Sequence, residues 1–127
     1  MNRVIVGVGS NIDPWNTIRK ARDLLSLEQH FLGESQFIQT KPIGLINQPD
    51  FVNGAFCIET SLSYEGLRTY LKTVENRLGR IRGNDKYGPR TIDLDIIAVN
   101  GEIRNADYYE RDFVKEATDA LIDQDCR

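Results

Sequence analysis

Two carboxylates separated by one apolar residue, Asp93-Leu94-Asp95, are the residues of this chain best spaced to do chemistry. Residues 91–99 read as a strand, in which positions i and i+2 share a face. Both carboxylates then converge while Ile92, Leu94 and Ile96 enter the core. Side chains roughly 5–7 Å apart suit one or two Mg²⁺ ions bridged by phosphate oxygens. A strand with a merely hydrated polar face has the same spelling. Like charges on one face are unfavourable without a cation, which adds weight to the metal.

Just upstream, residues 80–90 hold Arg80, Arg82, Lys86 and Arg90 against Asp85, a local +3 in a chain of net charge −3. Gly83, Gly88 and Pro89 make this a loop able to move. A cationic loop beside paired carboxylates is what phosphoryl transfer requires, because charge spread over a polyphosphate is met by metal ions and guanidinium forks. A solvated charged loop is the plainer alternative. A third feature is the loop 41–50, with two prolines and a glycine. Thr40, Asn53 and the Phe51 ring at its flanks could form a slot for a flat heterocycle, edges read by amide and hydroxyl, face by the ring. Taken alone, Phe51 reads more simply as core.

Other devices are missing. Gly7-Val8-Gly9 starts a dinucleotide fingerprint, but Ile12 stands where the third glycine belongs, and there is no GxxxxGK[ST]. His30, the sole histidine, is expected on the surface near a helix end, which argues against a nucleophile–histidine device.

The elements that position these residues follow from pattern. Residues 3–8 are β-branched and apolar, a short buried strand. Asp13-Pro14 predicts an N-cap and first helical position for a helix to about Gln29, with Ile18, Ala21 and Leu25 inward. Residues 34–40 and 51–60 read as strands. Ser63 caps a second helix carrying Leu67, Leu71, Val74 and Leu78, closed by Gly79. Asn100-Gly101 predicts a two-residue hairpin into residues 102–104. From Asp107 the tail reads as one helix with Tyr109, Phe113, Ala117 and Leu121 on one face. The order is that of an α+β, ferredoxin-like split βαβ plan: one domain over 1–127, a mainly antiparallel sheet with helices packed on one face, and a C-terminal hairpin and helix.

At 127 residues and 14.5 kDa, with 40% hydrophobic and 28% charged residues, the chain has ordinary globular composition. A pI near 5.2 speaks against a generally basic coat for nucleic acid or membrane surfaces. No stretch nears the ~18 apolar residues of a membrane span. Cys57 lies in an apolar run and Cys126 is next to last. They form no disulfide framework or metal knuckle in this reading, and Cys57 is taken as a small buried hydrophobe. A soluble, cytoplasmic location is expected.

Taken together, Gly9-Ser10-Asn11, residues 40–53 (TKPIGLINQPDFVN), Glu59-Thr60 and above all residues 79–95 (GRIRGNDKYGPRTIDLD) resemble the family of 6-hydroxymethyl-7,8-dihydropterin pyrophosphokinases of the folate pathway. The resemblance runs over roughly residues 4–104 and implies a ferredoxin-like fold. It also implies Mg²⁺-dependent transfer of pyrophosphate from ATP to the pterin hydroxymethyl oxygen, releasing AMP. In its terms Asp93 and Asp95 are ligands of two Mg²⁺ ions and Arg80 and Arg90 are catalytic. Glu75, Arg82, Ile96 and Arg111 contact nucleotide. Thr40, Ile43 (through its backbone), Phe51, Asn53 and Phe113 form the pterin pocket. Partners are the pterin and ATP, with neither nucleic acid nor membrane.

The sequence departs from that pattern in places. Lys41 replaces the first of the usual paired prolines, Tyr87 replaces a common tryptophan and Lys72 a frequent glutamine. The Pro-His segment before the late Arg-x-Phe is missing, so matching Arg111 and Phe113 requires a deletion after Ala106. Phe113 is also a core position in the helical reading. Two rivals remain at this point. One is a pterin- or nucleotide-binding module without turnover. The other is nucleotidyl transfer on nucleic acid, by fold analogy alone.

Overall fold

A computed structural model describes residues 1–44, 47–79 and 91–127. Its centre is β1 (Asn2–Ser10), where Val4, Val6 and Val8 alternate with Ile5, Gly7 and Gly9. β1 pairs antiparallel with β4 (Phe51–Thr60) on one side and β5 (Asp93–Val99) on the other. Outside β4 lie β2 (His30–Glu34) and β3 (Ile38–Thr40), which share its free edge, and β6 (Glu102–Ile103) closes the opposite edge. Every pairing is antiparallel, and the strand order β2-β4-β1-β5-β6 is that of the expected α+β, ferredoxin-like plan.

One sheet face carries Val4, Val6, Val8, Phe56, Ile58, Leu94 and Ile96. Against it pack Ile18, Ala21 and Leu25 of α1 (Pro14–Glu28) and Leu67, Leu71 and Val74 of α2 (Tyr64–Arg77). Phe56 sits among Phe31 and Phe37, with ring centroids 5.2 and 5.7 Å away. Tyr70 donates to Glu28 at 2.8 Å and Arg77 donates to the same carboxylate at 2.7 Å, lacing the two helices together. Burial, then the hydrogen bond to Glu28, pushes the Tyr70 phenol up to about 12, so it stays a donor at any ordinary pH. As expected, Ser63 caps α2 by accepting from Gly66 N–H at 3.1 Å, and Gly79 follows at φ 90°. Asn100 and Gly101 take φ 50° and 82°, the paired left-handed geometry of a type I′ hairpin.

The structure corrects four expectations about the helices and strands. Helices cover both faces, not one: α4 (Asp112–Asp123) lies over the face made by Ile5, Ala55, Cys57, Ile97 and Ala98. Asp13 precedes α1 in a left-handed conformation (φ 46°), and its carboxylate accepts from Asn16 rather than capping the helix. The extended segment at 34–40 starts earlier and breaks. Ser35 inserts its hydroxyl as acceptor for Ala55 N–H at 2.8 Å, and this side-chain bond replaces a ladder bond. The C-terminal helix also breaks, at Arg111 (φ −131°, ψ 114°), leaving the single turn α3 (Asp107–Glu110) ahead of α4. That break resets the helical phase. Tyr109 turns out to solvent at 74% exposure, whereas Leu121 stays buried.

The cysteines are the clearest departure. Cys57 of β4 and Cys126 form a disulfide across a sequence separation of 69, with Cα atoms 6.1 Å apart. A closed loop of that length takes about 4 kcal/mol of chain entropy from the unfolded state in the standard account. The chain reaches the pairing position by reversing after α4. Asp125 N–H bonds Ile122 O at 3.0 Å and Cys126 N–H bonds Leu121 O at 2.9 Å, a Schellman motif with Asp125 at φ 69°.

Glycine adopts that left-handed position at lower cost than aspartate. Asp125→Gly is therefore expected to raise stability by about 0.5–1 kcal/mol, measured as a higher urea midpoint at unchanged slope. A lowered midpoint would refute this account of the cap.

Candidate active site

The chemistry-bearing residues stand on the sheet face that α4 covers. In register, Gly9 lies opposite Asp93 and Gly7 opposite Asp95, so β1 offers no side chain to crowd the two carboxylates. On the other flank Gly9 pairs with Asn53. A Cβ at Gly9 would come within 2.7 Å of Asn53 Oδ1, so the amide lies directly across this glycine. The amide nitrogen of Asn53 donates to the Thr40 hydroxyl, joining β4 to β3 at the mouth of the site.

A cavity of about 350 Å³ opens here, lined by all five residues expected around a flat heterocycle: Thr40, Ile43, Phe51, Asn53 and Phe113. Asp93 and Arg111 are on the same wall. The break at Arg111 leaves Phe113 half-buried on the wall of this cavity, outside the core clusters. The loop after Thr40 is tied down by Asn11, 2% exposed, which donates to Gln48 Oε1 at 2.7 Å and to Pro49 O at 3.0 Å. The Ser10 hydroxyl donates to Thr91 O, fixing the approach to β5.

A second cleft of about 370 Å³ lies beyond Asp93 and Asp95, with Glu75, Ile96, Arg68 and Lys72 on its walls. Glu75 is 2% exposed and accepts from Leu94 N–H at 2.6 Å, gripping β5 at the residue between the two aspartates. Asp93 borders both spaces, and Asp95 lines the Glu75 cleft beside it. Arg111 is on the Phe113 side, with its Nε 3.6 Å from Asp107 Oδ1, and does not line the Glu75 cleft. Arg80, Arg82 and Arg90 lie outside the described residues. His30 is exposed, as expected, with Nδ1 3.4 Å from Glu59.

The donor set suits a hard cation. Two same-face carboxylates supply anionic oxygens, and the glycines opposite leave room for ligands from phosphate and water. Among the described residues no third His, Cys, Asp or Glu joins them as a metal cluster. A substrate polyphosphate would then complete the shell, as at sites that grip Mg²⁺ through one or two carboxylates.

Residue-by-residue reading missed the floor and the supports: Gly9 as contact surface, Asn11 as anchor of the 41–50 loop, and Tyr64, Arg68 and Asn105 in the second cleft. Gly-Ser-Asn at a strand end was the available signal for the first two. The cleft residues carry none, because they come from two elements far apart in sequence.

The family model described as 7,8-dihydro-6-hydroxymethylpterin-pyrophosphokinase (HPPK) matches residues 5–122, nearly the whole chain. The chain belongs to the HPPK family. Among its relatives is the 2-amino-4-hydroxy-6-hydroxymethyldihydropteridine pyrophosphokinase of Haemophilus influenzae, 38% identical over 77% of this chain and 62% of that protein. The protein of the same name from Bacillus subtilis is 36% identical over 98% of this chain and 87% of its own length. The Arabidopsis thaliana "Folate synthesis bifunctional protein" matches at 33% over 74% of this chain and 20% of itself. This chain thus spans about three-fifths of several HPPK relatives. The Bacillus alignment runs to 149 positions against 127 residues here, so that relative carries segments this HPPK chain lacks. A deletion of the kind expected after Ala106 accords with that.

Glu75→Ala removes the acceptor of a buried N–H and is expected to cost about 1–3 kcal/mol in urea unfolding. Glu75→Gln keeps a carbonyl oxygen there and should cost less. Equal losses would show that the Leu94 bond is not what Glu75 contributes.

Proposed function

We propose that this chain transfers the terminal pyrophosphoryl group of ATP to the hydroxymethyl oxygen of 6-hydroxymethyl-7,8-dihydropterin, releasing AMP. The observation that carries this reading is that Asp93 borders both a heterocycle-sized cavity and a second cleft lined by Asp95, Arg68 and Lys72. The family names and the Asp93/Asp95 spacing support it. The pterin lies in the cavity against Phe51 and Phe113, its edge read by Asn53 and Thr40, with Ile43 contributing backbone. ATP occupies the cleft past Glu75 and Ile96, where Arg68 and Lys72 add positive charge. Arg111 meets the triphosphate from the pterin side.

The hydroxymethyl oxygen attacks the β-phosphorus, the bond from that phosphorus to the α,β-bridging oxygen breaks, and AMP leaves with the bridging oxygen. The hydroxyl proton passes to solvent. Asp93 and Asp95 are the residues that would hold two Mg²⁺ ions, whose chemistry here is Lewis-acid screening of the triphosphate charge. Arg80, Arg82 and Arg90, assigned by resemblance, complete the neutralisation. Asn53, pinned to Thr40, fixes the ring so that the oxygen points at phosphorus, which is the positioning contribution to rate. Free pterin and nucleotide are the partners in this reading, and the location is cytoplasmic. No described helix is long and apolar enough to cross a membrane.

Asp95→Ala is expected to leave the thermal melt nearly unchanged and cut ATP-dependent AMP release by at least ~10²-fold, on the scale of losing one electrostatic stabiliser of a transition state. Near-full turnover would overturn the metal role. Wild-type chain that binds pterin and an ATP analogue yet releases no AMP would be a binding module instead. Gly9→Ala forces the Asn53 amide aside, at the far end of a movable side chain. Its fold should survive while pterin affinity drops, about tenfold for one lost oriented hydrogen bond. Unchanged affinity by calorimetry would remove Asn53 from the pterin pocket.

A further inference from the structure

The second sheet face is thinly packed. Beneath the middle of α4 lie Gly7, Gly9 and Ala55, and a cavity of about 60 Å³ remains between them and Val114, Ala117 and Thr118. Of α4 only Thr118 and Leu121 are buried. Its first turn carries Phe113 and Val114 beside the site, and its far end, about 18 Å away for twelve residues, returns through Asp125 to Cys126. Val114, Ala117 and Thr118 hold the helix over its first half, and Leu121 with the Cys57–Cys126 bond fixes its far end. Both sulfurs are nearly buried, at 3% and 4% residue exposure. A surface cavity of about 200 Å³ nevertheless has both cysteines in its wall, with Arg3 and Asp125 at its margin. Arg3 donates to Asp125 O at 2.8 Å and to Glu59 at 3.3 Å, which fixes its guanidinium at the margin of this cavity.

We propose that Cys57 and Cys126 are a reversible thiol–disulfide exchange site that sets how firmly α4 closes the cavity wall bearing Arg111 and Phe113. The reductant class is a dithiol. One of its thiolates attacks a sulfur of the pair to form a mixed disulfide, and its second thiol displaces that sulfur. Two electrons and two protons end on Cys57 and Cys126 as the dithiol becomes a cyclic disulfide. With the bond open, α4 keeps its Val114, Ala117, Thr118 and Leu121 contacts but loses the covalent tie at its far end, and it samples a loosened position. The fraction of molecules with a complete wall falls, and apparent ligand affinity falls with it. The effect on pterin affinity rests on the function proposed above; the effect on α4 does not.

The test compares full-length protein before and after dithiothreitol. In denaturant, untreated protein should resist iodoacetamide at both cysteines by mass spectrometry; two alkylated cysteines would overturn the site. Hydrogen exchange over 112–123 should quicken on reduction about tenfold more than over α1, whose core amides follow the global loss of stability, and equal quickening in the two would overturn the loosening. Calorimetry with 6-hydroxymethyl-7,8-dihydropterin should give about tenfold weaker binding to reduced protein; equal affinity with faster exchange would overturn the coupling. Cys126→Ser should match the reduced form with or without dithiothreitol. If that variant does not fold, the wild-type comparison still decides. Loss of pterin binding in both forms, with the exchange difference intact, would refute the pterin reading and leave the exchange site standing.

Discussion

The pairing of β1 with two antiparallel neighbours governs everything else in this molecule. Because side chains alternate along a strand, one register decides both faces at once. With Val8 opposite Leu94 and Gly54, the apolar set faces α1 and α2, and Gly7 and Gly9 are left opposite Asp95 and Asp93. A slip of one residue would bury the aspartates beneath two helices and turn the valines towards the site. The hydrophobic face thus holds the acidic pair in place without touching it. Glu75 adds to this by reaching from α2 to the backbone between the two aspartates.

The two faces are built to different standards. Under α1 and α2 the core is dense, with branched aliphatic residues and Phe56 at its middle. Under α4 the sheet presents Ile5 and Ile97 beside the smaller Ala55, Cys57 and Ala98, and the glycines of β1 open the floor at the site end. The disulfide and the reversed turn at Asp125 fix the end of α4 far from the site. Room for ligand and loose packing of the helix have the same origin, namely the glycines of β1.

Local chemistry was sufficient where neighbours in sequence are neighbours in space. The Ser63 cap, the Gly79 stop and the Asn100-Gly101 hairpin each depend on a few adjacent residues, and each formed as expected. Phe51–Thr60 was legible as a strand from its apolar and β-branched content. The Ser35 interruption was not, because it depends on a hydroxyl meeting Ala55 across the sheet. Nor was the break at Arg111, for the tail's apolar spacing continues through it without a proline or glycine.

What the chain's order of residues determined was the inventory: an acidic pair on one strand face, the polar and aromatic residues Thr40, Phe51 and Asn53 that flank residues 41–50, and the folding plan that goes with them. Alternation along a strand and spacing around a helix are short-range rules, so they can be read without a partner in view. Which side of the sheet α4 covers, how Phe113 joins Thr40 and Asn53, and that Cys57 meets Cys126 were decided only by tertiary packing. Each of those is a contact between segments dozens of residues apart, and no local energy term distinguishes the arrangement formed from its mirror across the sheet.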